Sequence, residues 1–383
     1  MFDTLRNHLD VIWGFLVALA VVLVLTPAVG RVARVLGIVD EPLERRRVHL
    51  QAVPRLGGLA LFFGVFVPAL AFLDLSGPYR GILLGAALAT TVGMADDFRG
   101  LPWWVKLGGQ AGAAAIAIDF GVRIDRFTFP IIGIHELPFW ASVVLTLIWI
   151  VAIMNMVNFL DGLDGLAAGI CGISGATFAV IALSLGKPEA AVLSAIIAGA
   201  CLGFLRHNFY PARIFMGDSG ALLMGFLLAT VSIQGLLKTA ATVALFFPLL
   251  VLAVPILDTG FVVAKRLKYR QPIYQADTWH FHHRMANIGF SQRRTLAYLY
   301  GWTLALAALA LALRFVPYSD DHGHFDALWT AVIVAFGLLA LATSVYLIYV
   351  LEILKLRRGR LNPETGEIEA ITLEQAESEA QKT

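Results

Sequence analysis

Cysteine is almost absent. Only Cys171 and Cys201 occur in 383 residues, and both lie inside apolar stretches. That excludes a disulfide framework, and no C-x-x-C spacing offers a zinc site; both read as small buried hydrophobes. Charge is scarce as well. Asp, Glu, Lys and Arg supply 15% of the residues, against about 25% in a soluble domain. With 58% of residues hydrophobic, a soluble chain of this length could not cover its own apolar surface. A repeat at a fixed period is also missing. So is a cleavable leader: Val11 to Ala28 is long, with no small-residue cleavage site after it, and reads as a retained span. The net charge of +2 says little about partners, and no nucleic-acid partner is expected.

What is present is apolar sequence in blocks that suit a bilayer, about 17–25 residues each. Eleven segments run approximately over 11–29, 56–73, 79–95, 104–120, 139–157, 166–185, 189–205, 220–236, 239–258, 296–315 and 326–352. The expected fold is therefore an all-α polytopic membrane protein of about eleven transmembrane helices. The expectation is a single catalytic domain over 1–360, followed by a polar, acidic tail over 361–383 that is either a frayed helix or flexible. Val122 to Leu137 alternates apolar and polar residues with β-branched enrichment, and predicts a short hairpin. If the spans alternate, the arginines of the first loop, the Lys and Arg after the ninth span and those of the tail share one side. Cations collect on the cytoplasmic side. This places the N-terminus outside and the tail inside, in a bacterial cytoplasmic membrane.

Five motifs fall on that inner side. Asp96–Asp97 closes the third span, and close carboxylates there either share a cation or share a proton; a solvated helix end is the alternative. "NMVNFLDGLDGLAAG" sets Asn155, Asn158 and Asp161 three apart on one helical face, with Asp164 three further on. That polarity between two apolar spans calls for a ligand, or else for helix–helix hydrogen bonding. "FMGDSGALLMG" puts Asp218 ahead of the eighth span, either as a helix cap with Ser219 or as an oxygen ligand for Mg²⁺. "HFHHR" carries His280, His282, His283 and Arg284; with no cysteine nearby, phosphate contact suits it better than zinc, unless the imidazoles are incidental to an exposed loop. "VDEPLERRRVHLQAVPRLGG" places Arg47, His49 and Arg55 beside the membrane, as an anion site or simply as the topology signal. Acids for a metal, cations for phosphates and a membrane floor together imply phosphoryl transfer involving a lipid.

These motifs resemble those of the polyprenyl-phosphate N-acetylhexosamine-1-phosphate transferases, of the glycosyltransferase family 4 type. R-x-H-x-x-x-V-P-R-x-G-G, the paired Asp, N-x-x-N-x-x-D-G-x-D-G-L, F-M-G-D-S-G and H-x-H-H appear in the family's order, from about Val39 to Tyr300. The resemblance implies transfer of a sugar-1-phosphate from a UDP-sugar to polyprenyl phosphate, with release of UMP. It implies Mg²⁺ (Mn²⁺ as a substitute) on Asp218 with Asn158, and catalytic roles for Asp96, Asp97 and Asp161. Substrate contacts fall to Asn155, Asp164, Lys106, His280, His282, His283, Arg284, Arg47, His49 and Arg55. The string His280-Phe281-His282-His283 resembles the GlcNAc-1-phosphate branch, which starts O-antigen, teichoic-acid and related polymers. The muramoyl-pentapeptide branch, with three consecutive histidines, is the alternative donor class. One departure stands out: many members of the branch carry a third Asp where this chain has Gly100. A homodimer is allowed, though no residue argues for one. An ion-coupled transporter fits less well, because its charges belong near the bilayer midplane and its halves repeat.

Overall fold

The computed structural model describes residues 8–40, 52–129, 133–237, 246–268, 270, 280–287, 289–318, 326–356, 359–361 and 368–370. Arg47 and His49 lie outside the described residues.

Two compact units divide the chain, one of residues 1–274 and 298–315, the other of 275–297 and 316–383. The first holds α1 (Leu9–Val35), α2 (Gly57–Phe72), α3 (Pro78–Arg99), α4 (Trp103–Asp119), α5 (Phe139–Leu160), α6 (Leu166–Ser184), α7 (Pro188–Asn208) and α8 (Gly217–Ser232). α8 runs on as a π-helical turn over Ile233–Leu237, and α9 (Phe246–Val251) and α10 (Ala253–Lys268) follow. The second unit holds α11 (Phe281–Asn287), the start of α12 (Gln292–Phe315) and α13 (Ala327–Leu356).

Among the described residues, the apolar segments read from the sequence coincide with helix except in the ninth, whose residues 239–245 lie outside the described residues. Eight helices among the described residues are long and apolar enough to cross a membrane, and the apolar Gly57–Phe72 is shorter. The ninth segment departs from expectation. It breaks between α9 and α10, with Pro248 and Pro255 on either side, because proline removes a helical N–H and crowds the preceding turn. α10 then continues through Lys265, Arg266 and Lys268, residues expected in a connector. Their charge suits the negative end of a helix.

α8 is the centre of the first unit. It is apolar around its whole circumference and 94% of its span is buried, as expected of a helix surrounded by others. α3, α5 and α2 pack against it, while α1 and α6 each pack on α7 and α1 also packs on α2. Strands are few. β1 (Val39–Asp40) pairs antiparallel with β2 (Val53–Pro54). β3 (Arg126–Phe129) pairs with β4 (Gly133–Glu136), with Arg126 opposite Glu136, inside the predicted hairpin. β5 (Gly359–Leu361) pairs antiparallel with β6 (Ile368–Ala370) where the polar tail begins.

Candidate active site

The last turn of α3, the first turn of α4, the last turn of α5 and the first turn of α8 converge. Lys106 is the hub. Its Nζ donates to Asp218 Oδ2 at 2.5 Å, to Asp96 Oδ2 at 2.9 Å and to Asn158 Oδ1 at 3.2 Å. Asn158 Nδ2 donates to the other oxygen of Asp218 at 2.6 Å, and Asp96 Oδ1 accepts from the Leu101 N–H at 2.5 Å. The lysine and Asp96 side chains are 17% and 12% exposed, Asp218 28%.

The two neighbouring aspartates divide their work. Asp97 turns away from Lys106 and caps α8 from outside that helix. Its Oδ1 accepts from the Asp218 N–H (2.8 Å), and its Oδ2 from the Ser219 N–H (3.0 Å) and hydroxyl (2.7 Å). Those N–H groups belong to the first turn of α8 and have no partner within their own helix. No side chain of its own N-cap residue caps α8, so the expected Asp218–Ser219 self-cap is replaced by a carboxylate of α3. The helices approach this closely because Gly93 stands at the crossing: a Cβ there would lie 2.4 Å from Ser219 Cα. On the other side, the Phe215 N–H donates to Pro54 O and the Gly58 N–H to Met216 O. The Val53–Gly58 segment is thereby stitched to the chain entering α8. Arg55 sits in this segment, within 3.8 Å of Asp40.

Asp161 follows α5 directly. Its side chain keeps partial exposure, but burial foremost, then the Asp218 and Asp97 carboxylates, push its carboxyl well above the usual range. Arg55 and the Gly217 N–H pull the other way. Asp161 therefore belongs with the acidic group. Asp164 is placed differently: it is buried and accepts from the Ala212 N–H at 2.9 Å. Asn208 joins the same two loops, accepting from the Gly165 N–H and donating to Ile214 O. The Tyr300 hydroxyl donates to Gly165 O at 2.5 Å. Asn155 is also held by protein, exchanging amide hydrogen bonds with Gln110 at 2.6 and 3.2 Å.

Gln110, Asn208 and Tyr300 were missed in the sequence. Gln110 had a readable signal, since it follows Lys106 by one helical turn and must share its face. Gln110→Leu is expected to lower stability by about 1–3 kcal/mol, because it leaves the Asn155 amide short of a partner. The double variant Gln110→Leu/Asn155→Leu should recover most of that loss, as thermal unfolding in detergent would report.

In the second unit, His280, His282 and Arg284 are all buried. The His282 ring lies 4.2 Å from that of His283 and 6.0 Å from that of His280. Among the described residues, neither ring nitrogen of His282 has a hydrogen-bond partner. Burial first, then the neighbouring imidazoles, hold its pKa well below that of an ordinary histidine. The unfolded chain therefore takes up this proton more readily than the folded one. The stability carried by neutral His282 is present above the unfolded pKa of about 6.5 and falls away as pH drops below it. His282→Gln should flatten that acid-side decline in melting temperature.

The donor set around Lys106 has the chemistry of a cation site. Two carboxylates and an amide oxygen already surround one positive group at 2.5–3.2 Å, and hard oxygen donors of this kind suit Mg²⁺. No three His, Cys, Asp or Glu side chains among the described residues form a closed metal cage. An ion held here would keep coordination positions open for substrate oxygens.

The helices build a multi-pass membrane protein whose acids gather where four helix ends meet. The chain belongs to glycosyl transferase family 4, whose profile matches residues 79–236, the stretch that carries Asp96, Asp97, Lys106, Asn158, Asp161 and Asp218. It is similar to the probable undecaprenyl-phosphate N-acetylglucosaminyl 1-phosphate transferase of Bacillus subtilis, at 35% identity over 80% of this chain and 86% of that protein. The decaprenyl-phosphate N-acetylglucosaminephosphotransferase of Mycobacterium tuberculosis is 35% identical over 76% of this chain and 80% of its own length. A phospho-N-acetylmuramoyl-pentapeptide-transferase of Desulforudis audaxviator is 31% identical over 69% and 86%.

Proposed function

We propose that this protein transfers N-acetylglucosamine 1-phosphate from UDP-N-acetylglucosamine to polyprenyl phosphate, releasing UMP at the cytoplasmic face of a bacterial membrane. The observation that carries the reading is the convergence of Asp96, Asp218 and Asn158 on one cationic centre. Asp218 and Asn158, with Asp96 beside them, would hold Mg²⁺. When bound, the ion neutralises the donor diphosphate and so lowers the cost of charge developing on it.

The chain's own residues do the rest. Lys106 supplies a positive charge within reach of a diphosphate. Arg55, on the segment stitched to α8, adds a second. A lipid phosphate oxygen attacks the β-phosphorus, the bond to the UMP oxygen breaks, and UMP departs with that electron pair. Direct transfer is favoured over a covalent aspartyl intermediate by the state of Asp97, whose two oxygens already accept three hydrogen bonds. A phospho-enzyme trapped without lipid acceptor would overturn that route.

The donor assignment follows the relatives named for N-acetylglucosamine, which match at higher identity than the muramoyl-pentapeptide enzyme. The test is UMP release by purified protein with Mg²⁺ and undecaprenyl phosphate. UDP-N-acetylglucosamine should support it and UDP-MurNAc-pentapeptide should not. No UMP from either donor would overturn the reading.

A further inference from the structure

Lys106 occupies the place a cation should have. Its Nζ is within 2.5, 2.9 and 3.2 Å of oxygens of Asp218, Asp96 and Asn158. An ammonium and a divalent ion cannot share a pocket of that radius, since their repulsion at contact distance exceeds that of two unit charges. The lysine is also able to leave. Its charge sits on a flexible four-carbon stem, and its side chain is 17% exposed. Gln110, by contrast, is buried and fixes the next turn of α4 to Asn155, so the backbone of α4 stays while the side chain swings.

We propose that Lys106 is a resident counter-ion that holds Asp96 and Asp218 together in the substrate-free protein, yields its place to the divalent metal, and moves onto the donor diphosphate. The inference rests on the metal-dependent transfer reading above and adds an exchange to it. While the ammonium has nowhere else to go, metal binds against its competition. A diphosphate arriving with the metal gives the ammonium a new partner. Metal and nucleotide therefore bind cooperatively, and by linkage each tightens the other by the same factor. The lysine acts as a latch against loading the acids with metal alone.

The experiment uses full-length protein in detergent and Mn²⁺ as the probe, with free Mn²⁺ read by electron paramagnetic resonance. Without nucleotide, Lys106→Met should bind Mn²⁺ tighter than wild type by about tenfold or more, the scale of removing one unit charge at this distance in a partly screened site. Adding UDP should tighten Mn²⁺ binding in the wild type by a larger factor than in the variant. Equal or weaker Mn²⁺ binding by Lys106→Met overturns the proposal.

Should that variant not fold, the wild type supplies a second measurement: amine labelling of Lys106, followed by peptide mass spectrometry. Mg²⁺ alone should raise the labelling, and UDP added with Mg²⁺ should lower it again. Labelling that Mg²⁺ leaves unchanged or reduces overturns the proposal. Failure here is separable from failure of the function. Wild-type protein that releases UMP but shows no exchange sinks only the latch, whereas absence of UMP release sinks the transfer reading itself.

Discussion

Asp218→Asn is expected to reduce UMP release by about 10²–10³-fold, the usual cost of deleting one preorganised charge from a transition-state site. The substitution keeps the shape of the side chain and leaves the Asp218 N–H on Asp97, so α8 should still start in the same place. What disappears is one negative charge among the oxygens around Lys106. The amide can still bond with Asn158, but it binds a divalent ion poorly. The check is turnover at saturating Mg²⁺ beside expression level and detergent size-exclusion profile, with the latter two unchanged. Activity within a few-fold of wild type would remove Asp218 from the cation site.

Gly93→Ala should cost about as much without touching any acid. The added Cβ would lie 2.4 Å from Ser219 Cα and 2.5 Å from Ser219 N. These are backbone atoms of α8, which cannot rotate aside. α3 and α8 must separate, and Asp97 then loses its hold on the first turn of α8. A displacement near 1 Å at a reacting centre costs about 10²-fold in rate. Gly108→Ala is the control. It stands on α4, close to Lys106, with nothing within 4 Å of the new methyl, and replacing a mid-helix glycine should stabilise by roughly 0.5–1 kcal/mol. Matched losses in both variants would show that the crossing is not what Gly93 protects.

Much of this was legible in the chain. Helix positions followed from apolar blocks, because a membrane helix must be apolar over a length fixed by the bilayer. The acids were legible because ionisable residues next to such blocks are costly. The partition between them was not. Asp96 and Asp97 are chemically identical neighbours, and only the angle at which α8 crosses α3 decides which meets Lys106 and which meets a backbone. That angle depends on Gly93, one small residue among the many in this sequence. Asp164 and Asn155 read as substrate contacts because polarity in an apolar setting suggests one; the Ala212 N–H that Asp164 accepts and the Gln110 amide that Asn155 meets were not readable from the chain. The break between α9 and α10 was hidden because apolar composition continues across it.

The bond from Asp97 to the Asp218 N–H spans 121 positions of the chain. During synthesis, α3 emerges with a carboxylate whose intended partner has not yet been made. The catalytic arrangement cannot exist until α8 has been threaded into place beside it. A chain cut short before α8 carries the paired aspartates without the backbone N–H groups that hold Asp97 in place.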